Sequence, residues 1–398
     1  MLTKHLWMPW WLVFGVLSVS ALSLYWFWAM AYQTDSPSYV NAVLLWAGEA
    51  AAPDRLFRLS KPLSLLFPLL AYQCLGLSIL YGLFLQQYLA YCFSSYFVYQ
   101  LLLQLFPASS TPSYSPQAAF GCLAFLFCQP MAVYGLAFLT DGLGWSLLLL
   151  GIWWSQQLFA TSVSWKQCFL FGCYLGMACF VKESVVVAGI FTAWWVLFNG
   201  QHPFSKKLLI YSQITLGGVL ALTLGNALTY AIWDSSLVQW IQFGQDSPPV
   251  FSWKGFIAQA YHTLDAYWWL FLGGCWLAWK QRAILPPVFG AYAASIATGW
   301  LLLPLTWPYL YDRILFMLVP LMLPFLALGI SGLGRGAWPL LLLCGVGQLW
   351  VTHGIYFHQQ EGWIVGHGLF FLLLFGVVAG KQFFLPSSYR EDNFKQEH

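Results

Sequence analysis

Charge is what this sequence has least of. Asp, Glu, Lys and Arg make up 7% of its 398 residues, against 60% hydrophobic and 20% aromatic residues. A soluble chain carries about 25% charged residues. So few polar groups cannot cover a protein of this size in water, which excludes a soluble globular domain and makes lipid the solvent. Charge concentrated in one sign is missing too. The net charge is +3 and the basic residues are scattered, which excludes a nucleic-acid patch. No pair of the nine cysteines has CxxC spacing. Cys122, Cys128, Cys168, Cys173 and Cys179 lie inside apolar runs and read as small buried hydrophobes, not as disulfide partners or metal ligands. Internal repeats are absent, and no segment is polar enough to fold as a soluble domain of its own.

What is present is a series of long apolar runs. Backbone groups in lipid must pair within their own segment or in a closed barrel, and unbroken runs of this length exclude the barrel. Breaks at charged or Pro/Gly-rich points predict spans at 9–31, 76–105, 118–138, 142–159, 167–181, 184–199, 208–232, 264–279, 284–303, 314–333, 338–353 and 363–380. The expected fold is an all-α polytopic membrane protein with about 12 transmembrane helices (10–13). Residues 1–380 form one transmembrane domain, and 381–398 form a polar cytoplasmic tail. Lys4 and His5 precede the first run, as in a signal peptide, but that run is roughly 20 residues long and rich in Trp, Phe and Tyr. That is long enough to span a bilayer, so it is read as a retained first helix. Residues 40–75 are apolar but interrupted by Glu49, Pro53, Asp54, Arg55, Arg58, Lys61 and Pro62. They are expected to form amphipathic helices on the membrane surface.

Lys4, Lys166, Lys206, Lys207, Lys280, Arg282, Arg335 and Lys381 fall on one side in this arrangement. The positive-inside rule makes that side the cytoplasm and puts both termini there. Ten of the thirteen acids (Asp35, Glu49, Asp54, Asp141, Glu183, Asp234, Asp246, Asp265, Asp312 and Glu361) fall on the other side, and the remaining three lie in the tail. Arg55, Arg58, Lys61, Lys182, Lys254 and Arg313 also lie outside. Topology does not require cations there, so they become candidates for function. The largest outer loops are 32–75 and 233–263.

The first of those loops carries the most chemistry. Gln33-Thr34-Asp35-Ser36-Pro37-Ser38-Tyr39 follows the first apolar run, and Arg55-Leu56-Phe57-Arg58-Leu59-Ser60-Lys61-Pro62 comes shortly after. The carboxylate of Asp35 and three cations thus share a loop at one membrane face. Asp35-Ser36-Pro37 is equally a good helix N-cap, with Pro at an early helical position. Interfacial Lys and Arg also snorkel to lipid headgroups without further purpose. Asp141 begins an apolar run, where an acid suits the helix dipole. Lys182 and Glu183 are adjacent at a helix end, where charge near membrane depth is expensive. Arg313 has Asp312 beside it as a local partner. His353, His358 and His367 lie close together in one outer loop, without a spacing that indicates metal binding.

The order of these motifs resembles that of the polyprenyl-phosphate-dependent glycosyltransferases of the GT-C superfamily. The nearest look is to the branch of protein O-mannosyltransferases and lipid A aminoarabinose transferases. Asp35-Ser36-Pro37-Ser38-Tyr39 stands where that family has an acid after its first helix. Ser60-Lys61-Pro62-Leu63, leading to Leu75-Gly76-Leu77-Ser78, resembles its Lys-Pro stretch. Thr140-Asp141-Gly142-Leu143, after Pro130, is similar to its acid between the third and fourth helices. Val181-Lys182-Glu183 matches a basic position, and Tyr311-Asp312-Arg313 with Pro320 and Pro324 resembles its late Arg-then-Pro helix. The likeness runs over about 5–335. Many members carry adjacent acids in the first outer loop, whereas Asp35 has no acidic neighbour, so a divalent metal is not indicated. Many also carry a C-terminal periplasmic domain, and without one acceptor recognition falls to the loops.

The resemblance implies transfer of a sugar from a polyprenyl-phosphate donor to a glycan, lipid or protein acceptor at the extracytoplasmic face of a bacterial inner membrane. It assigns catalytic roles to Asp35 and Asp141. Substrate binding falls to Tyr39, Arg55, Arg58, Lys61, Lys182, Glu183 and Arg313. Three other functions fit a chain of this composition. A lipid-linked saccharide transporter or flippase would show repeat symmetry and charges in mid-helix. A polysaccharide polymerase or ligase would carry one very large outer loop. A catalytically inactive assembly subunit would keep the fold and lose the base.

Overall fold

A computed structural model describes residues 35–49, 56–106, 116–160, 163–200, 202–239, 242, 253–264, 267–306 and 312–331. The described chain is helical, with no strand among the described residues. Its helices are α1 (Ser36–Trp46), α2 (Leu66–Leu75), α3 (Ile79–Leu105), α4 (Pro116–Phe127), α5 (Gln129–Tyr134), α6 (Asp141–Ala160), α7 (Trp165–Ala178), α8 (Val186–Phe198), α9 (Phe204–Trp233), α10 (Trp253–Leu264), α11 (Trp268–Lys280), α12 (Val288–Thr306), α13 (Asp312–Leu315) and α14 (Val319–Ser331). Short 3-10 turns cover Leu56–Ser60, Pro62–Ser64, Glu183–Val185 and Phe316–Leu318.

The nine expected spans that fall on described residues correspond to helices, with two departures. The run 118–138 is not one helix. It ends at Phe127, restarts at Gln129 with Pro130 in its first turn, and leaves 135–140 non-helical. Pro fits the first turn of a helix because its missing N–H would be unbonded there anyway. The run 314–333 is likewise divided, into α13, a 3-10 turn and α14. Of the described helices, α9 is long and apolar enough by itself to cross a bilayer, so the count of twelve spans is not established. The spans expected at 9–31, 338–353 and 363–380 lie outside the described residues, as do the tail and most of the loop 240–252.

The core forms around α14, whose residues Val319 to Ile330 are all buried. It packs against α4, α11 and α12, and α3 packs on α4 and α6. A helix apolar nearly all round belongs either inside a bundle or in lipid, and the described residues include an example of each. α14 is inside, whereas α9 leaves Leu208, Leu209, Leu216, Leu224 and Leu228 exposed. Apolar attraction gives no drive between helices that already lie in lipid, so close backbone approach does the work. A Cβ at Gly172 on α7 would stand 2.1 Å from the Ile214 carbonyl oxygen on α9, and one at Gly217 would stand 2.2 Å from that of Phe169.

α1 and α2 belong to the loop between the first two expected spans. α1 begins at Ser36, earlier than the surface helices expected from residue 40. α2 packs on α3 and leaves Leu66, Leu70 and Leu75 exposed. Two adjacent glutamines, Gln86 and Gln87, fasten this edge of the bundle. Gln86 Nε2 donates to the Ser64 carbonyl at 3.1 Å. Gln87 Nε2 donates to the Leu139 carbonyl at 2.8 Å, and its Oε1 accepts from the Leu143 N–H at 3.1 Å. Both loops that carry charge are thereby tied to one helix.

Candidate active site

The charged residues of four chain segments meet at this edge. Asp35 occupies the N-cap position of α1, yet its side chain makes no capping hydrogen bond. Its carboxylate pairs instead with Arg58, Oδ2 to Nη2 at 3.2 Å. Arg58 is buried and its donors are used within the chain: Nε donates to Ser38 Oγ at 3.0 Å, and Nη1 to the Tyr39 hydroxyl at 2.9 Å. The guanidinium also stacks on the Tyr39 ring, 4.2 Å from its centroid. The Tyr39 hydroxyl shares a hydrogen bond with Thr140 Oγ1 at 2.9 Å, which joins the first loop to the start of α6.

Asp141 is the first residue of α6 and only 3% exposed. Its Oδ1 pairs with Lys182 Nζ at 3.0 Å. Glu183, next in sequence, opens the 3-10 turn that leads into α8 and pairs with Lys61. The Lys61 N–H donates to the Arg58 carbonyl at 3.1 Å, which returns the chain of contacts to its start. The result is a ring: Asp35, Arg58, Tyr39, Thr140, Asp141, Lys182, Glu183, Lys61. Its three cations and three carboxylates sum to zero.

Local sequence explains why the ring closes. Pro62 disfavours helix at Lys61, whose backbone sits at φ −124°, ψ 58° between two 3-10 turns. Ser64 Oγ donates to the Lys61 carbonyl at 2.7 Å and fixes that turn. Gly144, one turn into α6, makes room for the segment opposite. A Cβ there would lie 2.5 Å from Lys182 Cβ and 3.0 Å from Ser184 Oγ.

Burial pushes the Glu183 carboxyl up, and the two lysines overcome it, taking it from its ordinary 4.5 down to about 2. Burial pulls the Lys61 ammonium below its ordinary value, Lys182 adds to this, and Glu183 works against both.

Of the residues expected from sequence, Asp35, Tyr39, Arg58, Lys61, Asp141, Lys182 and Glu183 are brought together. Arg55 lies outside the described residues. Arg313 lies in α13, which packs on α5 and α10, and its side chain is outside the described atoms. Thr140, Ser38, Gln87 and Gly144 were not singled out by sequence. They are uncharged, and Thr140 and Gly144 were legible only as neighbours of Asp141. The described residues include no cluster of three or more His, Cys, Asp or Glu placed to hold a metal ion. His353, His358 and His367 lie outside the description.

The described residues form an all-helical bundle with a charged ring on the loops at one edge, and comparison with solved structures finds proteins of similar fold. The chain is similar to the crystal structure of ArnT from Cupriavidus metallidurans bound to undecaprenyl phosphate. The TM-score is 0.62 at 13% sequence identity, over 92% of this chain and 71% of that one. It is also similar to the apo state of the same protein, with a TM-score of 0.59 at 13% identity over 83% of this chain and 62% of that one. ArnT is a lipid A aminoarabinose transferase of the GT-C superfamily. No family model and no curated protein matches the chain. At this identity the likeness is one of fold.

Proposed function

We propose that the protein is a multi-pass membrane glycosyltransferase that takes a sugar from a polyprenyl-phosphate donor and transfers it to an acceptor at the extracytoplasmic face. The observation that carries this reading is the ring itself. Segments far apart in sequence place a partly exposed carboxylate, Asp35, beside buried cations in a protein too poor in charge to spend three ion pairs on loops alone.

The reaction is a single displacement with inversion. The acceptor oxygen or nitrogen forms a bond to the anomeric carbon as the bond from that carbon to the phosphate oxygen breaks. Asp35 takes the acceptor proton, which needs hydrogen-bond reach to the acceptor. The developing sugar cation resembles an oxocarbenium ion, which a fixed carboxylate nearby stabilises. Lys61 and Lys182 meet the charge on the departing polyprenyl phosphate, lysine acting as a point charge where arginine would offer a fork. Arg58, with its donors directed to Asp35, Ser38 and Tyr39, orients the base and supports Tyr39 against the sugar. Asp141 is the second carboxylate candidate, and its contact with Lys182 favours a role through that lysine. Arg55 and Arg313 remain candidates for the phosphate end of the donor. Membrane lipid holds the prenyl chain, and the acceptor is a glycan, lipid or protein.

Transfer by purified protein from a radiolabelled polyprenyl-phosphate sugar, with membrane extract as acceptor, tests the reading. Asp35→Asn should lower the rate by about 10² to 10⁴, the usual size of general-base loss. Since the Asp35 side chain makes no capping hydrogen bond, a loss of stability would not report a lost helix cap. Near wild-type transfer by Asp35→Asn would move the base to Asp141. Absence of transfer in the wild type would favour the inactive subunit.

A further inference from the structure

We propose that Glu183 is a built-in stand-in for the donor phosphate, seated on Lys61 when the site is empty and displaced when a polyprenyl phosphate binds. The proposal rests on the glycosyltransferase reading and concerns how that site fills and empties.

Three observations support it. First, each cation of the ring, among the described residues, already faces a carboxylate. Arg58 pairs with Asp35, Lys182 with Asp141 and Lys61 with Glu183. A phosphate carrying one or two negative charges therefore enters a neutral ring that already contains three carboxylates, and like charges brought together at a desolvated interface repel. Contact of the phosphate with Lys61 or Lys182 then requires the carboxylate on that lysine to yield.

Second, the three are not equally able to yield. Asp35 shares Arg58 with Ser38 and Tyr39, so the guanidinium is gripped from three sides. Asp141 is only 3% exposed at the head of a 20-residue helix. Glu183 has the longer side chain and is 17% exposed, near the 20% of Asp35 and well above Asp141. It stands at the head of a three-residue 3-10 turn, the shortest element in the ring.

Third, Glu183 lies between two cations, Lys61 in contact and Lys182 adjacent in the chain. Both pull its carboxyl down, so it stays anionic at neutral pH. A carboxylate thus already sits on Lys61, one of the two cations assigned above to the leaving phosphate. After transfer the returning carboxylate competes for Lys61 and hastens release of the polyprenyl phosphate product.

The test is binding of farnesyl phosphate to the purified full-length protein in detergent, with farnesol as the uncharged control. Wild type should bind farnesyl phosphate and not farnesol. Glu183→Gln removes the charge, keeps a hydrogen-bond acceptor for Lys61, and should tighten binding by about tenfold. In the transfer assay it should lower both KM and kcat, with stronger inhibition by added farnesyl phosphate. Glu49→Gln is the charge control. Glu49 accepts a hydrogen bond from Tyr72 at the exposed end of α1, outside the ring, and its loss should leave binding unchanged. Equal or weaker binding by Glu183→Gln, with its fold intact by thermal unfolding, would overturn the proposal. So would equal tightening by Glu49→Gln. If Glu183→Gln does not fold, Glu183→Asp decides. Its shorter reach loosens the grip on Lys61, and weaker binding than wild type would again overturn the proposal. Failure of the wild type to bind farnesyl phosphate would instead reject the glycosyltransferase reading.

Discussion

Asp35 shows how a single residue was both legible and misleading. Its position, after an apolar run and before Ser-Pro, predicts an N-cap as readily as a base. In the structure Asp35 stands at the cap position while its side chain turns to Arg58, and transfer by Asp35→Asn is what tests the base. Glu183 offers a second test at this scale. Its pKa falls from 4.5 in the unfolded chain to about 2 in the folded one. Between those values the unfolded state binds the proton and the folded state does not, so stability rises with pH across this window. The contribution is complete above about 4.5 and is lost as pH falls toward 2. Thermal unfolding in detergent should show this acid step in wild type and a smaller one in Glu183→Gln. Equal steps would mean that other carboxylates govern acid unfolding.

At the scale of elements, the charged positions were readable because a membrane protein carries each charge at a cost. Asp141 and the Lys182–Glu183 pair stood out in a chain that is 7% charged. What fastens them did not stand out. Gln86 and Gln87 sit in mid-helix and carry no charge. The break at 128–140 was hidden because Pro130 and Gly135 lie in an otherwise apolar stretch that reads as one span. Gly144 is the most exacting of these hidden positions. Alanine is favoured over glycine by about 1 kcal/mol inside a helix. Here its methyl would press on Lys182 Cβ and Cγ at 2.5 and 2.6 Å. Overpacking of this kind costs about 1–3 kcal/mol, which outweighs the propensity. Gly144→Ala should therefore destabilise the protein in thermal unfolding. It should also lower transfer at least as much as it lowers stability, because the strain falls on the contact between Lys182 and Asp141. A variant as stable and active as wild type would show that the 182–184 segment is free to shift.

At the scale of the whole molecule, α9 relates the ring to the membrane. Its C-terminal end lies by the site: it packs on the 3-10 turn Leu56–Ser60, and Trp233 meets Trp46 edge to face with ring centroids 4.9 Å apart. Its N-terminal end carries Lys206 and Lys207. Thirty residues at 1.5 Å each separate the two ends by about 45 Å, more than the roughly 30 Å of a bilayer core. A crossing by α9 would place the ring and the two lysines on opposite faces. Lys280 over Trp276 and Arg282 over Trp279, with centroid distances of 4.9 and 4.4 Å, are the cation and aromatic pairs expected at a membrane boundary. The positive-inside rule predicts that Lys206 faces the cytoplasm and the ring faces out. Two exposed positions make this measurable. Cys74 lies at the end of α2, in the loop that carries Asp35, and Lys206 lies in the first turn of α9. In a background retaining only Cys74, an impermeant thiol reagent should label intact cells. In a cysteine-free background carrying Lys206→Cys, the reagent should react only after the membrane is opened. The reverse pattern would invert the protein and put the site in the cytoplasm. Labelling of both positions from outside would mean that α9 does not cross the bilayer.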